Sequence, residues 1–441
     1  MRDFMLSERM LSTAIRAMAK RQLKLTSPTE THLPAPDTGR SYMLYMHVPF
    51  CQVLCPYCSF NRYAFHKDVA VPYFANMRKE MMMLKDLGYD FDGLYVGGGT
   101  PTIMIDELCE TIDLAREHFT IKEVTSETNP NHLAPKYVEK LKGRVQRLSV
   151  GVQSFDDGLL KQMERYDKYG SGEEILERIA EAASHFDTLN VDMIFNFPSQ
   201  TEEILRSDLE KLIACGGTQV TPSPLYVSNA TRKKMATTLG KMDYNREYYF
   251  YKILDEVLAG GKDPEFYRKS VWTYNRVNRD NAEMNNPVLI DEYAEYPGIG
   301  SGAVTHLHGK LYVNTFSLDE YNTAIERGQM PIMGETTLGK TELMRYRFLK
   351  QLYGLRLDKK LFERTFGCSV ERGLPMETTF MRMHKAFATD NDEELTLTPI
   401  GRYLTLVMYR QFLASLNNLR EQARAVLSGK EQNLLFEEST V

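Results

Sequence analysis

Little in this chain marks a membrane-spanning, secreted or disordered protein. No apolar run approaches the roughly 18 residues that a bilayer-spanning helix needs. Cysteine is sparse, six in 441 residues, where a secreted disulfide scaffold would be shorter and richer. There is a single tryptophan, and neither a low-complexity tract nor a sequence repeat. Net charge is only −5, so no dominant basic field argues for a nucleic-acid binder. With 43% hydrophobic residues the chain can bury a sizeable core and is not disordered. The basic, amphipathic residues 1–25 lack the apolar segment and cleavage site of a secretory signal. A surface helix is expected there, with a mitochondrial presequence as the alternative.

What is present is an alternation. Short apolar runs at 42–48, 93–97, 124–127, 147–152, 189–195 and 218–227 are separated by stretches with helical period. Strands alternating with helices imply a parallel sheet with right-handed crossovers. Six such units, rather than eight, suggest a partial barrel. The expected fold class is α/β: a partial (β/α)6 barrel, an added β/α extension and a winged-helix-like helical C-terminal domain. The divisions are placed at 1–41, 42–230, 231–335 and 336–441. Aromatics crowd 248–274, where packing or a planar substrate would explain them. PGIGSGAVTHLHG is expected as a strand pair at the barrel edge, with His306 and His308 on one strand face. The region beyond Thr336 is expected to cap the barrel, with DNA binding as the alternative for a winged helix.

The chemistry concentrates in Cys51-Gln-Val-Leu-Cys55-Pro-Tyr-Cys58. Three thiolates on one tight loop can hold three irons of a [4Fe–4S] cubane. Structural zinc prefers four protein ligands, usually as paired knuckles, and no second knuckle exists. Cys109, Cys215 and Cys368 lie in helical or apolar contexts and read as packing residues. Three ligands leave the fourth iron open, a corner that the amino and carboxylate groups of S-adenosylmethionine can chelate.

This spacing after a strand resembles the radical S-adenosylmethionine superfamily. The resemblance implies one electron passing from the reduced cluster to the sulfonium, giving a 5′-deoxyadenosyl radical that takes hydrogen from a substrate. Further motifs follow in order: YMHVPFC, VGGGTPT, SETNP, SVGVQSF, the Asp192 stretch and GIGSGA. Together they resemble the oxygen-independent coproporphyrinogen III oxidase-like family. That likeness implies a first S-adenosylmethionine at Tyr45, Tyr57, Glu127 and Val304. It also implies that Gly98, Gly99, Thr100, Gln153, Arg165 and Asp192 hold S-adenosylmethionine, including a second molecule, with the metal on Cys51, Cys55 and Cys58. The implied partners are a tetrapyrrole, haem or coproporphyrinogen, and an electron donor such as flavodoxin or ferredoxin. A cytoplasmic monomer is expected.

The reaction divides three ways. The oxidase motif continues with a fourth cysteine where this chain has Phe60. A haem chaperone branch carries a histidine–asparagine–aromatic motif before the GIG stretch, where this chain has Asn286-Pro287-Val288-Leu289. A third branch, with phenylalanine at the Phe60 position, transfers a methyl group to the tetrapyrrole. The expectation is an enzyme of methyltransferase-like action. Oxidase-like decarboxylation and haem trafficking are the alternatives.

Overall fold

The six apolar runs fold as six neighbouring parallel strands: β1 (Tyr42–Val48), β2 (Phe91–Gly98), β3 (Glu123–Thr128), β4 (Arg147–Gln153), β5 (Thr188–Phe195) and β6 (Gln219–Pro224). The computed structural model describes residues 12–13, 23–226, 229–277, 295–429 and 431–432. Most of the expected N-terminal helix, and the stretch 286–289, lie outside these. Every residue of β1 but Tyr45 is buried, as a strand covered on both faces requires. Helices Lys67–Asp86, Ile105–His118, Pro135–Leu141, Gly172–Ala182 and Glu202–Ala214 form the crossovers. The fourth of these starts at a full capping box, in which Ser171 and Glu174 each bind the other's backbone amide.

The sheet is larger than the sequence suggests. Gly298–Ile299 adds a parallel strand outside β1, and Tyr274–Arg276 then Phe266–Arg268 extend it antiparallel beyond β6. β6 stops at Pro224, short of the expected 227. Its outer neighbour pairs only with Gln219 and Val220, because prolines at 222 and 224 have no amide to donate. β1 and β6 do not pair, so the barrel stays open.

The glycine-rich stretch is split between two sheets. Val304–Leu307, Lys310–Asn314 and Ile332–Thr337 form a separate antiparallel sheet. His306 and His308 therefore do not share a strand face. His308 sits in the turn at φ +49 and is exposed, bonded to Asp37, whereas His306 is buried against Tyr346. Most aromatics of 248–274 pack into the core; Phe250, Tyr251, Phe266 and Tyr274 are buried together.

Beyond Thr337 come helices Lys340–Tyr353, Lys359–Phe366 and Pro375–Met383, then strands Phe387–Asp390 and Glu394–Leu397. Glu394–Leu397 is the middle strand, pairing with Arg356–Asp358 on one side and Phe387–Asp390 on the other, to make a wing over a small core around Leu357, Phe362 and Leu395. The last helix, Pro399–Ala425, leaves the wing and crosses the open barrel. Arg410 on it forms a buried ion pair with Glu247. Arg424 donates to the carbonyls of Ser59 (2.8 Å) and Phe60 (3.0 Å).

Glu80 locks the GIG stretch to the first crossover helix. Its carboxylate accepts from the Gly300 amide (2.8 Å), the Tyr321 hydroxyl (2.7 Å) and the Asn314 amide (3.0 Å). Burial pushes this carboxyl up from 4.5 to about 7, against the opposing effect of those donors. The native state thus binds the proton more tightly than the unfolded chain. The resulting stability is fully present below about pH 4.5 and is lost as pH rises through 7. At about 1.4 kcal/mol per pH unit, it is on the order of 3 kcal/mol. Urea midpoints measured from pH 5 to 8 should therefore fall more steeply for the native sequence than for Glu80→Gln. Equal slopes would show that another group sets the pH dependence.

Candidate functional site

The cysteine loop leaves β1 and is closed by its own short parallel pair, Phe50–Cys51 with Tyr63–Ala64. Inside it, the Cys58 amide turns back onto the Cys55 carbonyl (3.2 Å). Arg62 clamps that turn, donating to the carbonyls of Cys55 (2.7 Å) and Cys58 (2.8 Å). Two outside groups reach the sulfurs: Thr100 Oγ1 lies 3.7 Å from Cys51 Sγ, and Arg165 Nη1 lies 3.4 Å from Cys55 Sγ. Burial pushes the Cys51 thiol up to about 12, so a thiolate there needs a metal to stabilise it.

A cluster fits this loop better than a single ion does. Thiolates around one zinc ion sit about 3.8 Å apart, as its 2.3 Å bonds dictate. Among the described residues, the one trio of ligand-type groups within 4.8 Å of one another is Asp37, Glu295 and His308. The three thiols do not form such a trio, so they are not gathered around one point as a single ion needs. Buried nitrogens facing this region, Nη1 of Arg62 and Nε of Arg165, also have no hydrogen-bond partner.

The strand ends complete the site. β2 ends in Gly97-Gly98-Gly99-Thr100, pressed onto the cysteine loop. A Cβ on Gly99 would stand 2.6 Å from the Phe50 carbonyl oxygen and 3.0 Å from Cys51 Sγ. On β3, Glu127 accepts from the Tyr95 hydroxyl (2.6 Å) and the Gly98 amide (3.0 Å). Burial raises its pKa, as it does that of Asp192 on β5, which Ser149 (2.7 Å) and Asn190 (2.8 Å) hold. Gln153 ends β4 in the left-handed region at φ +79, a strain found at functional strand ends. Arg165 precedes the short helix Tyr166–Tyr169 rather than lying within a helix. It donates to Asn129 (3.1 Å) and to the Gly151 carbonyl, and lies over the Tyr169 ring.

These groups share one cavity of about 690 Å³, within the usual range of small-molecule sites. All thirteen residues singled out from the sequence line it: the three cysteines, Tyr45, Tyr57, Gly98, Gly99, Thr100, Glu127, Gln153, Arg165, Asp192 and Val304. The C-terminal region supplies the facing wall, including Tyr353, Tyr409, Phe412 and Arg420, and Trp272 and His306 also reach it.

Sequence reasoning missed several members. His47 bonds to the Tyr45 hydroxyl (2.8 Å) and to the Asn61 carbonyl (2.9 Å), and burial lowers its pKa to about 4, so it is neutral. Its spacing of two from Tyr45 along β1 was the available signal. Asn129 bridges Arg165 and Thr100 from inside SETNP. Arg420 carries no sequence signal, because it is one basic residue on an amphipathic helix.

Residues 45–212 match the family model described as the radical SAM superfamily. The heme chaperone HemW of Lactococcus lactis is 26% identical over 393 residues, 84% of this chain and 96% of the relative. The oxygen-independent coproporphyrinogen III oxidase of Helicobacter pylori is 24% identical over 406 residues, 85% of this chain and 86% of the relative. Among solved structures, the coproporphyrinogen III oxidase HemN from Escherichia coli, a radical SAM enzyme, superposes with a TM-score of 0.70 at 18% identity. That likeness covers 84% of this chain and 90% of the other. The cofactors of the superfamily are a [4Fe–4S] cluster and S-adenosylmethionine, which suits the donor set here. The chain therefore carries a radical SAM superfamily domain over residues 45–212 and is, along most of its length, a homologue of the HemW and coproporphyrinogen III oxidase proteins.

Proposed function

We propose that this protein is a radical S-adenosylmethionine enzyme acting on a tetrapyrrole held between the barrel and the last helix. The observation that carries this is the single cavity. It joins a three-thiol loop and two half-buried carboxylates at one end to an aromatic wall at the other. When bound, the cluster supplies the electron that splits S-adenosylmethionine into methionine and the hydrogen-abstracting 5′-deoxyadenosyl radical. Cys51, Cys55 and Cys58 hold it, and Arg62 and Thr100 fix the loop geometry. The Gly98–Gly99 backbone lets a ligand approach the strand end. Glu127 offers a half-buried carboxylate to an amine or hydroxyls, and Asp192, Gln153 and Arg165 furnish a second polar rim for S-adenosylmethionine. Trp272, Tyr409 and Phe412 offer flat apolar area to a macrocycle. The last helix, tied down through Arg410 and Arg424, excludes water from the radical.

The relatives support tetrapyrrole chemistry without favouring methyl transfer. A haem-carrying role is the second reading, favoured by Phe60 standing where the oxidase has a cysteine. The test is anaerobic incubation of cluster-loaded protein with dithionite and S-adenosylmethionine, with haem or coproporphyrinogen added separately. Deoxyadenosine release stimulated by one of them is expected, and the product mass separates methyl transfer from loss of carbon dioxide. Haem binding with no deoxyadenosine would leave the carrier reading alone. A flavodoxin or ferredoxin donor and a monomeric cytoplasmic enzyme complete the proposal. No helix among the described residues is long and apolar enough to cross a membrane.

A further inference from the structure

We infer that Arg420, on the last helix, is the anchor for a carboxylate arm of the bound tetrapyrrole. This rests on the tetrapyrrole reading and adds a specific recognition element to it. Five arginines line the cavity: Arg62, Arg147, Arg165, Arg345 and Arg420. Four have other work. Arg62 clamps the cysteine loop, and Arg165 holds Asn129 and lies against Cys55. Arg345 is paired with Glu377 at 2.6 Å. Arg147 donates to Gln219 (2.9 Å) at the barrel floor, where the charges of Glu127 and Asp192 would repel an incoming anion.

Arg420 differs. It is carried by the last helix, which faces the thiol loop across the cavity; one nitrogen donates to Asn417 (2.6 Å), and, as for Arg62, Arg147 and Arg165, no carboxylate among the described residues lies within ion-pairing distance. Its guanidinium lies over the Phe60 ring, 4.7 Å from the centroid. That ring fixes its direction while leaving hydrogen-bond donors free. Arg420 itself lines the cavity, together with Tyr45, His47, Tyr226 and Tyr296. A macrocycle lying on the aromatic wall presents its acidic arms at its edge, and Arg420 is the cation of the last helix placed to meet one. The arrangement also gives Phe60 a role: the residue following the cysteine loop becomes the platform for substrate recognition.

Cluster-loaded full-length protein should be titrated with coproporphyrin III and with its tetramethyl ester, following the porphyrin absorbance. Arg420→Ala should weaken the free acid by roughly 10- to 100-fold and leave the ester within about twofold of the native sequence. Arg420→Lys should restore part of the loss. Equal weakening of acid and ester would reduce Arg420 to a packing residue and overturn the proposal. So would an Arg420→Ala protein that binds the acid normally. If the native sequence binds neither ligand, the tetrapyrrole reading itself fails, and this inference falls with it.

Discussion

Reconstituted with iron and sulfide without air, Cys55→Ala will retain essentially no iron–sulfur absorbance and will release no deoxyadenosine. Cys51→Ala and Cys58→Ala will behave alike. In the proposed site each thiolate would hold one iron of the cluster, and no spare cysteine lines the cavity to compensate. Cys55 is the most informative of the three. Its sulfur lies 3.4 Å from Arg165 Nη1, and its carbonyl takes both the Cys58 amide and the Arg62 guanidinium. Its replacement therefore removes a ligand while leaving the backbone of the turn intact. The matched controls are Cys109→Ala and Cys368→Ala. Cys109 contacts the Lys140 carbonyl and Cys368 lies beside Met344, both far in the fold from the loop. Their iron content should equal that of the native sequence. A full cluster spectrum in Cys55→Ala would end the three-thiol assignment.

The second large effect is expected from a single methyl group. Gly99→Ala places a Cβ 2.6 Å from the Phe50 carbonyl oxygen, a backbone atom that cannot rotate away. The same oxygen accepts the Thr100 amide at 2.8 Å, and the Gly99 amide donates to Val48 at 2.8 Å. Relief requires the β2 end and the cysteine loop to part, which moves Cys51. Overpacking of this kind costs about 1–3 kcal/mol. The functional loss should be greater than the stability loss, because the displaced atoms are the ones that seat the cluster. Iron content should drop by more than half, and S-adenosylmethionine binding should weaken at least about tenfold. Gly143→Ala is the control. Its φ is +76 with nothing within 4 Å of the added carbon, so it bears only the backbone strain, about 1 kcal/mol, and keeps its iron. Full iron loading and native affinity in Gly99→Ala would mean the two loops have slack that these distances deny.

Much of the barrel was legible because its signals are local. A buried parallel strand is a continuous apolar run, and 42–48 was read to the residue. The first crossover helix starts at Lys67, a few residues before its apolar stretch, because polar first turns do not stand out in a periodicity. The added strands at Gly298–Ile299 and Phe266–Arg268 were not foreseen as parts of the main sheet. Two or three residues carry no period, and only pairing to β1 or to Tyr274–Arg276 makes them strands. The pairing of His306 with His308 failed for the same reason, since the hairpin turn that separates them is set by register.

The cysteine spacing, the glycine run and the order of the strand-end residues are properties of the chain itself. They determine the donor set and which strand end presents each group, because a strand fixes side-chain direction by simple alternation. Only the tertiary structure decided what faces that donor set across the cavity. The Glu247–Arg410 tie, the bond from Arg424 to Ser59 and the placement of Arg420 over Phe60 depend on contacts between residues more than a hundred positions apart. Such contacts leave no local periodicity, so although a cap beyond Thr336 is expected from the sequence, which of its side chains face the site emerges only when the chain is packed.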